Sequence, residues 1–192
     1  MLLLIFFNCF IVTRSYVILK NNPILSTKIN FNKEDYGKFR AKVSLIRHAD
    51  TYNNRNNICT GEVDAPIIKP TVKKKMPSYD LVLSSTALRC RQTLDLLEFK
   101  NKPKIIFDDS FLEAGYGSLT GKCKKDYNFK RTFFNKPPTS NLYNSESIFE
   151  AGVRSYFGFT NLAELYIENN CNILVLSHKN TLKGLWTLLN VD

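Results

Sequence analysis

The sequence predicts an α/β domain, a three-layer sandwich around a mostly parallel sheet. Three observations carry this expectation. Short, nearly continuous apolar runs recur at 43–46 (VSLI), 81–83 (LVL), 104–107 (KIIF) and 173–176 (ILVL), as strands covered on both faces should. Stretches of helical periodicity alternate with them, which is the signature of strand–helix–strand units. The two histidines of the chain, His48 and His178, each follow the end of such a run within one or two residues. Ligands collect beyond the carboxyl ends of the strands in open α/β sheets.

Taken in order, residues 1–42 differ in character from the rest. MLLLIFFNCFIV is apolar except for Asn8, and Arg14 follows closely. That run falls short of the roughly 20 apolar residues of a membrane span, so no stable span is expected; it has the form of a signal-peptide core. The segment after it is rich in Lys and Asn, and residues 1–42 carry seven basic side chains against Glu34 and Asp35, a balance of +5. An apolar leader followed by a basic segment predicts a targeting address to a plastid-like organelle, with a cytoplasmic location the alternative if the true start lies downstream. The domain proper is read as 43–192.

Within it, TALRCRQTLDLLEF (86–99) places Leu88, Cys90, Leu94, Leu96, Leu97 and Phe99 at helical spacing. Residues 146–168 predict a second helix, with Gly152 and Gly158 weakening its continuity, and NTLKGLWTLLN (180–190) a third. The polar stretch 122–145, with Pro137 and Pro138, reads as a long loop, a length that is often functional.

Composition narrows the function. The five cysteines are odd in number and include no CxxC, and the two histidines are far apart. Neither a disulfide framework nor a metal site is expected. A formal charge of +10 suits an anionic partner. With no aromatic-basic binding motif, nucleic acid is not the expected partner; a small phosphorylated molecule is.

The chemistry follows from what surrounds the histidines. Arg47 precedes His48, and Arg89 stands after the 81–83 strand and its SST turn. Guanidinium forks match phosphate oxygens bidentately, and a neutral imidazole is a competent nucleophile toward phosphorus. The set fits phosphoryl transfer through a phosphohistidine on His48, with His178 stabilising the developing charge and the second ring nitrogen of His48 donating to a backbone carbonyl. Glu113, in the glycine-rich SFLEAGYGSLTG, is the candidate proton donor to the leaving oxygen.

These residues resemble the histidine phosphatase superfamily, also called phosphoglycerate mutase-like. RHADTYNN is similar to its Arg-His-Gly signature, supplying Arg47, His48, Thr51 and Asn54, with Ala49 in the glycine position. Within the superfamily the pattern most resembles 2,3-bisphosphoglycerate-dependent phosphoglycerate mutase. CTGEVDAPI supplies Thr60, Gly61 and Asp64, with Glu62 where Trp is usual; SSTALRCRQT supplies Arg89. LEAGYGSLTGKCK supplies Glu113, Tyr116 and Lys124; FKRTFFNKPP keeps Arg131, with Thr132 at a second arginine position. SESIFEAGVR resembles the Glu-Ser-Leu helix, and LSHKNTLKGL supplies His178 and Asn180, with Lys179 replacing glycine.

The resemblance implies interconversion of 3- and 2-phosphoglycerate through phosphorylated His48. Arg47, Arg89, Glu113 and His178 would be catalytic, and Thr51, Asn54, Thr60, Gly61, Tyr116, Lys124, Arg131, Lys179 and Asn180 would line the substrate. It implies 2,3-bisphosphoglycerate as phosphoryl primer, no metal, and a homo-oligomer among the expected partners. It leaves open a phosphatase acting on a small phosphate monoester and a paralogue without activity. It also implies a further strand beyond residue 192 and a longer segment between Pro66 and Tyr79.

Overall fold

The computed structural model describes residues 12–18, 40–68, 72–126, 144–166 and 171–189. Seven strands occur among them: β1 (Val12–Ile18), β2 (Arg40–Arg47), β3 (Lys74–Met76), β4 (Leu81–Ser84), β5 (Leu97–Phe99), β6 (Lys104–Phe107) and β7 (Cys171–Ser177). The α-helices are α1 (Tyr52–Arg55), α2 (Leu88–Leu94), α3 (Ile148–Tyr166) and α4 (Lys179–Leu189).

Side chains alternate across a strand, and here that alternation sends the strand residues into two clusters, one on each face of the sheet. Val43, Leu45, Leu81, Leu83, Ile173 and Val175 enter one cluster with Phe111, Phe159, Ala163, Leu182 and Leu185. Ile46, Val82, Leu174 and Leu176 enter the other with Met76, Tyr79 and Cys90. The first cluster lies under α3 and α4. The second lies under α2 and the ribbon in which β3 and β5 pair in parallel. The sheet between them has the order β1-β2-β7-β4-β6. β2, β7, β4 and β6 run parallel, and β1 is antiparallel to β2. The three-layer α/β expectation holds.

Three features lie outside the sequence reading. The helix expected over 86–99 ends at Leu94, and Leu97–Phe99 forms β5. Leu97 and Phe99, two residues apart, both pack toward Met76 and Tyr79, so an apolar run compatible with either period belongs to a strand. The segment between Pro66 and Tyr79 contains β3. β1 lies inside the stretch read as a leader and pairs with β2 from Val12↔Leu45 to Ile18↔Arg40, with an irregularity between Thr13 and Tyr16. Residues 1–11 and 19–39 lie outside the described residues. No helix among the described residues is long and apolar enough to cross a membrane.

The glycines that interrupt the helical pattern sit where helices touch. A Cβ on Gly152 of α3 would stand 2.7 Å from Gly184 Cα on α4, and one on Gly158 would run into the Ser110 side chain. Gly184→Ala is therefore expected to destabilise the protein by about 1–3 kcal/mol, although Ala is the better helix former by about 1 kcal/mol. Urea midpoints should fall at an unchanged m-value; an unchanged midpoint would refute the close crossing.

Candidate active site

The site is assembled by strand pairing. β2 and β7 are neighbours, with Arg47 opposite Ser177, and the His48 N–H donates to the Ser177 carbonyl at 3.0 Å. The next residue of each chain segment is therefore a histidine beside a histidine. Their ring centroids lie 5.0 Å apart with planes tilted by 58°.

His48 is buried. Its Nδ1 lies 2.7 Å from the Ala49 carbonyl oxygen, so Nδ1 carries the proton and Nε2 keeps its lone pair. That turn is held by Thr93, whose hydroxyl accepts from the Ala49 N–H at 2.8 Å and donates to the Arg89 carbonyl at 2.6 Å. Burial first, then the Arg47 and Arg89 charges, lower the His48 pKa to about 3. At neutral pH this imidazole is uncharged and nucleophilic.

Arg89, near the start of α2 and almost fully buried, binds protein groups from three directions. Its Nε donates to His178 Nδ1 at 3.1 Å, and its terminal nitrogens donate to the carbonyls of Val63 at 2.9 Å and Gly61 at 2.8 Å. Three of its five N–H groups are thereby engaged. Gly61 has φ +54, a conformation that glycine adopts at low cost. Because His178 accepts at Nδ1, its proton is on Nε2, which meets Ser85 Oγ at 2.9 Å. Burial, followed by Arg89, holds the His178 pKa well below the usual histidine value. Cys90 Sγ lies 3.6 Å from the same nitrogen; burial pushes its thiol up to about 12, so it stays protonated and is no nucleophile.

Glu113 follows a 3-10 turn (Asp109–Phe111) after β6. Its buried carboxylate accepts from the Ala114 N–H at 3.0 Å and the Asn180 N–H at 3.3 Å, at the start of α4. Desolvation raises its pKa against the opposing pull of the Ala114 bond, of Arg89 and Arg47, and of the Thr181 backbone. Around it, the Asn180 side-chain amide donates to the Tyr116 hydroxyl at 2.9 Å, and Lys124 Nζ stands 5.9 Å from the centroid of the Tyr116 ring. Burial lowers the Lys124 pKa and raises that of Tyr116. The Arg47 charge favours the deprotonated form of His48, His178, Glu113, Tyr116 and Lys124 alike.

Other expected residues lie elsewhere or do different work. Thr51 and Asn54 form a reciprocal capping box on α1, each side chain accepting the other's backbone N–H at 3.2 Å. Thr60 Oγ1 is buried without a partner among the described residues. Lys179 is exposed at the first position of α4. Arg131, Thr132 and Pro137–Pro138 lie outside the described residues. Ser85 and Thr93 were not anticipated, although Thr93 stands one helical turn after Arg89. Among the described residues, no group of three or more His, Cys, Asp or Glu is placed to hold a metal ion.

The electrostatics predict acid sensitivity. The unfolded chain protonates its histidines near pH 6.5, whereas folded His48 resists protonation down to about 3. Stability should therefore fall as pH drops below 6.5, by about 2 kcal/mol at pH 5 for His48, with His178 adding in the same direction. Glu113 opposes this, because a raised carboxyl pKa contributes stability at low pH that is lost as pH rises through it. Urea midpoints at pH 7, 6 and 5 should decline, and His48→Asn should flatten the decline; equal slopes would refute the buried neutral imidazole.

Comparison with known proteins places this geometry. A probable phosphatase of Schizosaccharomyces pombe is 34% identical over 89 residues, a stretch spanning 42% of this chain and 43% of that relative. A 2,3-bisphosphoglycerate-dependent phosphoglycerate mutase of Bartonella bacilliformis is 24% identical over 173 residues, covering 78% of this chain and 82% of that one. In structure, an Escherichia coli K-12 protein provisionally assigned as an alpha-ribazole-5'-P phosphatase aligns with TM-score 0.61 at 22% identity, over 78% of this chain and 80% of that one. With residues 43–191 matching the family model of the histidine phosphatase superfamily (branch 1), the chain belongs to that superfamily, whose relatives found here are mutases and phosphatases.

Proposed function

We propose that the protein is a phosphoglycerate mutase that interconverts 3- and 2-phosphoglycerate by way of phosphorylated His48. The observation that carries this reading is the second group of binding side chains beside the phosphoryl site. Lys124, Tyr116 and Asn180 gather at Glu113, as a substrate with a carboxylate besides its phosphate requires. The orphaned Thr60 hydroxyl adds a donor for the same anion.

In this reading His48 Nε2 lies in line with the phosphorus, and Arg47 and the two remaining N–H groups of Arg89 hold the equatorial oxygens. His178 neighbours the same charge. Glu113 delivers a proton to the oxygen that leaves and takes one from the hydroxyl that attacks. Bisphosphoglycerate supplies the phosphoryl group that primes His48, and the doubly phosphorylated molecule with its carboxylate fits a site bearing Arg47, Arg89 and Lys124. Thr51, Asn54 and Lys179 would act at its margin, with Arg131 retained as a further substrate-binding residue in this reading.

A phosphatase acting on a small phosphate monoester is the second reading. It is favoured by the 34% identity to a probable phosphatase and by exposed Glu62 at the position where the mutase pattern has Trp. A mutase must keep water from its phosphoenzyme. The two separate in a coupled assay. Formation of 2-phosphoglycerate that depends on bisphosphoglycerate supports the mutase, and release of inorganic phosphate without isomerisation rejects it.

A further inference from the structure

Glu113 is flanked by two backbone segments that one ion pair holds together. Glu146 stands just before α3, and Arg154 lies within it. The guanidinium grips the carboxylate with both arms, Nε to one oxygen at 3.0 Å and a terminal nitrogen to the other at 2.7 Å. Its remaining donors reach the carbonyls of Asp109 at 3.1 Å, Ser110 at 2.7 Å and Leu112 at 3.3 Å, the run that leads into Glu113. Five bonds match the five N–H groups of an arginine.

Glu146 secures the other side. Its carboxylate accepts from the Gly115 N–H at 3.2 Å, and its own backbone N–H donates to the Gly115 carbonyl at 2.7 Å. An ordinary surface ion pair constrains little. This one has side chains 32% and 23% exposed and spans the backbone on both sides of a carboxyl that accepts from the Ala114 and Asn180 N–H groups and, at 3.5 Å, the Thr181 hydroxyl.

We propose that Arg154 and Glu146 are positioning residues for proton transfer by Glu113, holding its carboxyl where the leaving oxygen of the substrate must be protonated. This rests on the assignment of Glu113 as proton donor given above. In the step concerned, the ester P–O bond breaks, a bond forms between phosphorus and His48 Nε2, and the Glu113 proton passes to the departing oxygen. An alkoxide leaves poorly without that proton, whereas p-nitrophenolate leaves without help. Loss of acid placement should therefore penalise one ester class and spare the other, which general loosening of the fold would not do.

The test is the single-turnover rate of His48 phosphorylation from an alkyl phosphate (3-phosphoglycerate) and from p-nitrophenyl phosphate. Arg154→Met should slow capture from the alkyl ester by about 10- to 100-fold and change capture from the aryl ester by less than about twofold. Arg154→Lys, milder should the first variant fold poorly, and Glu146→Gln should show the same split at smaller amplitude. Parallel losses on both esters, or none on either, would overturn the proposal. Glu113→Gln is the reference. If it shows the split and the Arg154 variants do not, the positioning role fails alone; if it spares the alkyl ester, the proton-donor assignment fails and the positioning role with it.

Discussion

Substituting His48→Ala is expected to abolish capture of labelled phosphate and to lower phosphoryl transfer by at least about a thousandfold. The size of the effect follows from there being no replacement nucleophile. His178 has its Nδ1 lone pair occupied by Arg89 and its Nε2 protonated toward Ser85. Cys90 is held as a thiol by burial. Wild-type protein incubated with labelled bisphosphoglycerate should carry an acid-labile, base-stable adduct, and the variant none. An adduct of equal yield in the variant would remove His48 from the mechanism. Because the variant also deletes a buried group that resists protonation, it should tolerate acid better while being inert, so loss of activity and loss of fold are separable.

Arg89→Met is expected to cost about 3 kcal/mol of stability in addition to activity. Three acceptors lose their donor together: His178 Nδ1, the Gly61 carbonyl and the Val63 carbonyl. An unsatisfied buried acceptor costs about 1–3 kcal/mol, and exposed Val63 can turn to water, which limits the sum. Arg89→Lys should recover little, since a point charge on a flexible stem cannot reach three directions as a planar fork does. The check is a urea denaturation series for the three proteins. A Lys variant as stable as the parent would show that charge alone matters there.

The sequence exposed some of this and hid the rest for physical reasons. β2, β4 and β7 were legible because strands buried on both faces are apolar throughout, and the two histidines marked their carboxyl ends. The strand 97–99 was not legible, because Leu97 and Phe99 around Glu98 right after a helix satisfy either period and only the partner strand, three residues of Lys-Lys-Met, decides between them. Glu113, Tyr116 and Asn180 could be named from motif resemblance. Their mutual bonds could not, because they join residues 64 and 67 positions apart. Thr93, Ser85 and Arg154 escaped notice because each acts on backbone groups or on another side chain, and such roles leave no mark in residue type. Thr51 and Asn54 carry a second role that residue type did not reveal: each caps a one-turn helix through the other's backbone N–H.

The placement of β7 between β2 and β4 has a consequence for how the protein is made. The central ribbon of the sheet is contributed by a late part of the chain, while its flanking partners emerge from the ribosome far earlier. Until residues 171–177 arrive, the early strands have an open slot where backbone pairing should be, and such non-local closure is slow. A nascent chain should therefore depend on holding factors during synthesis, and catalytic competence should appear abruptly, with insertion of β7.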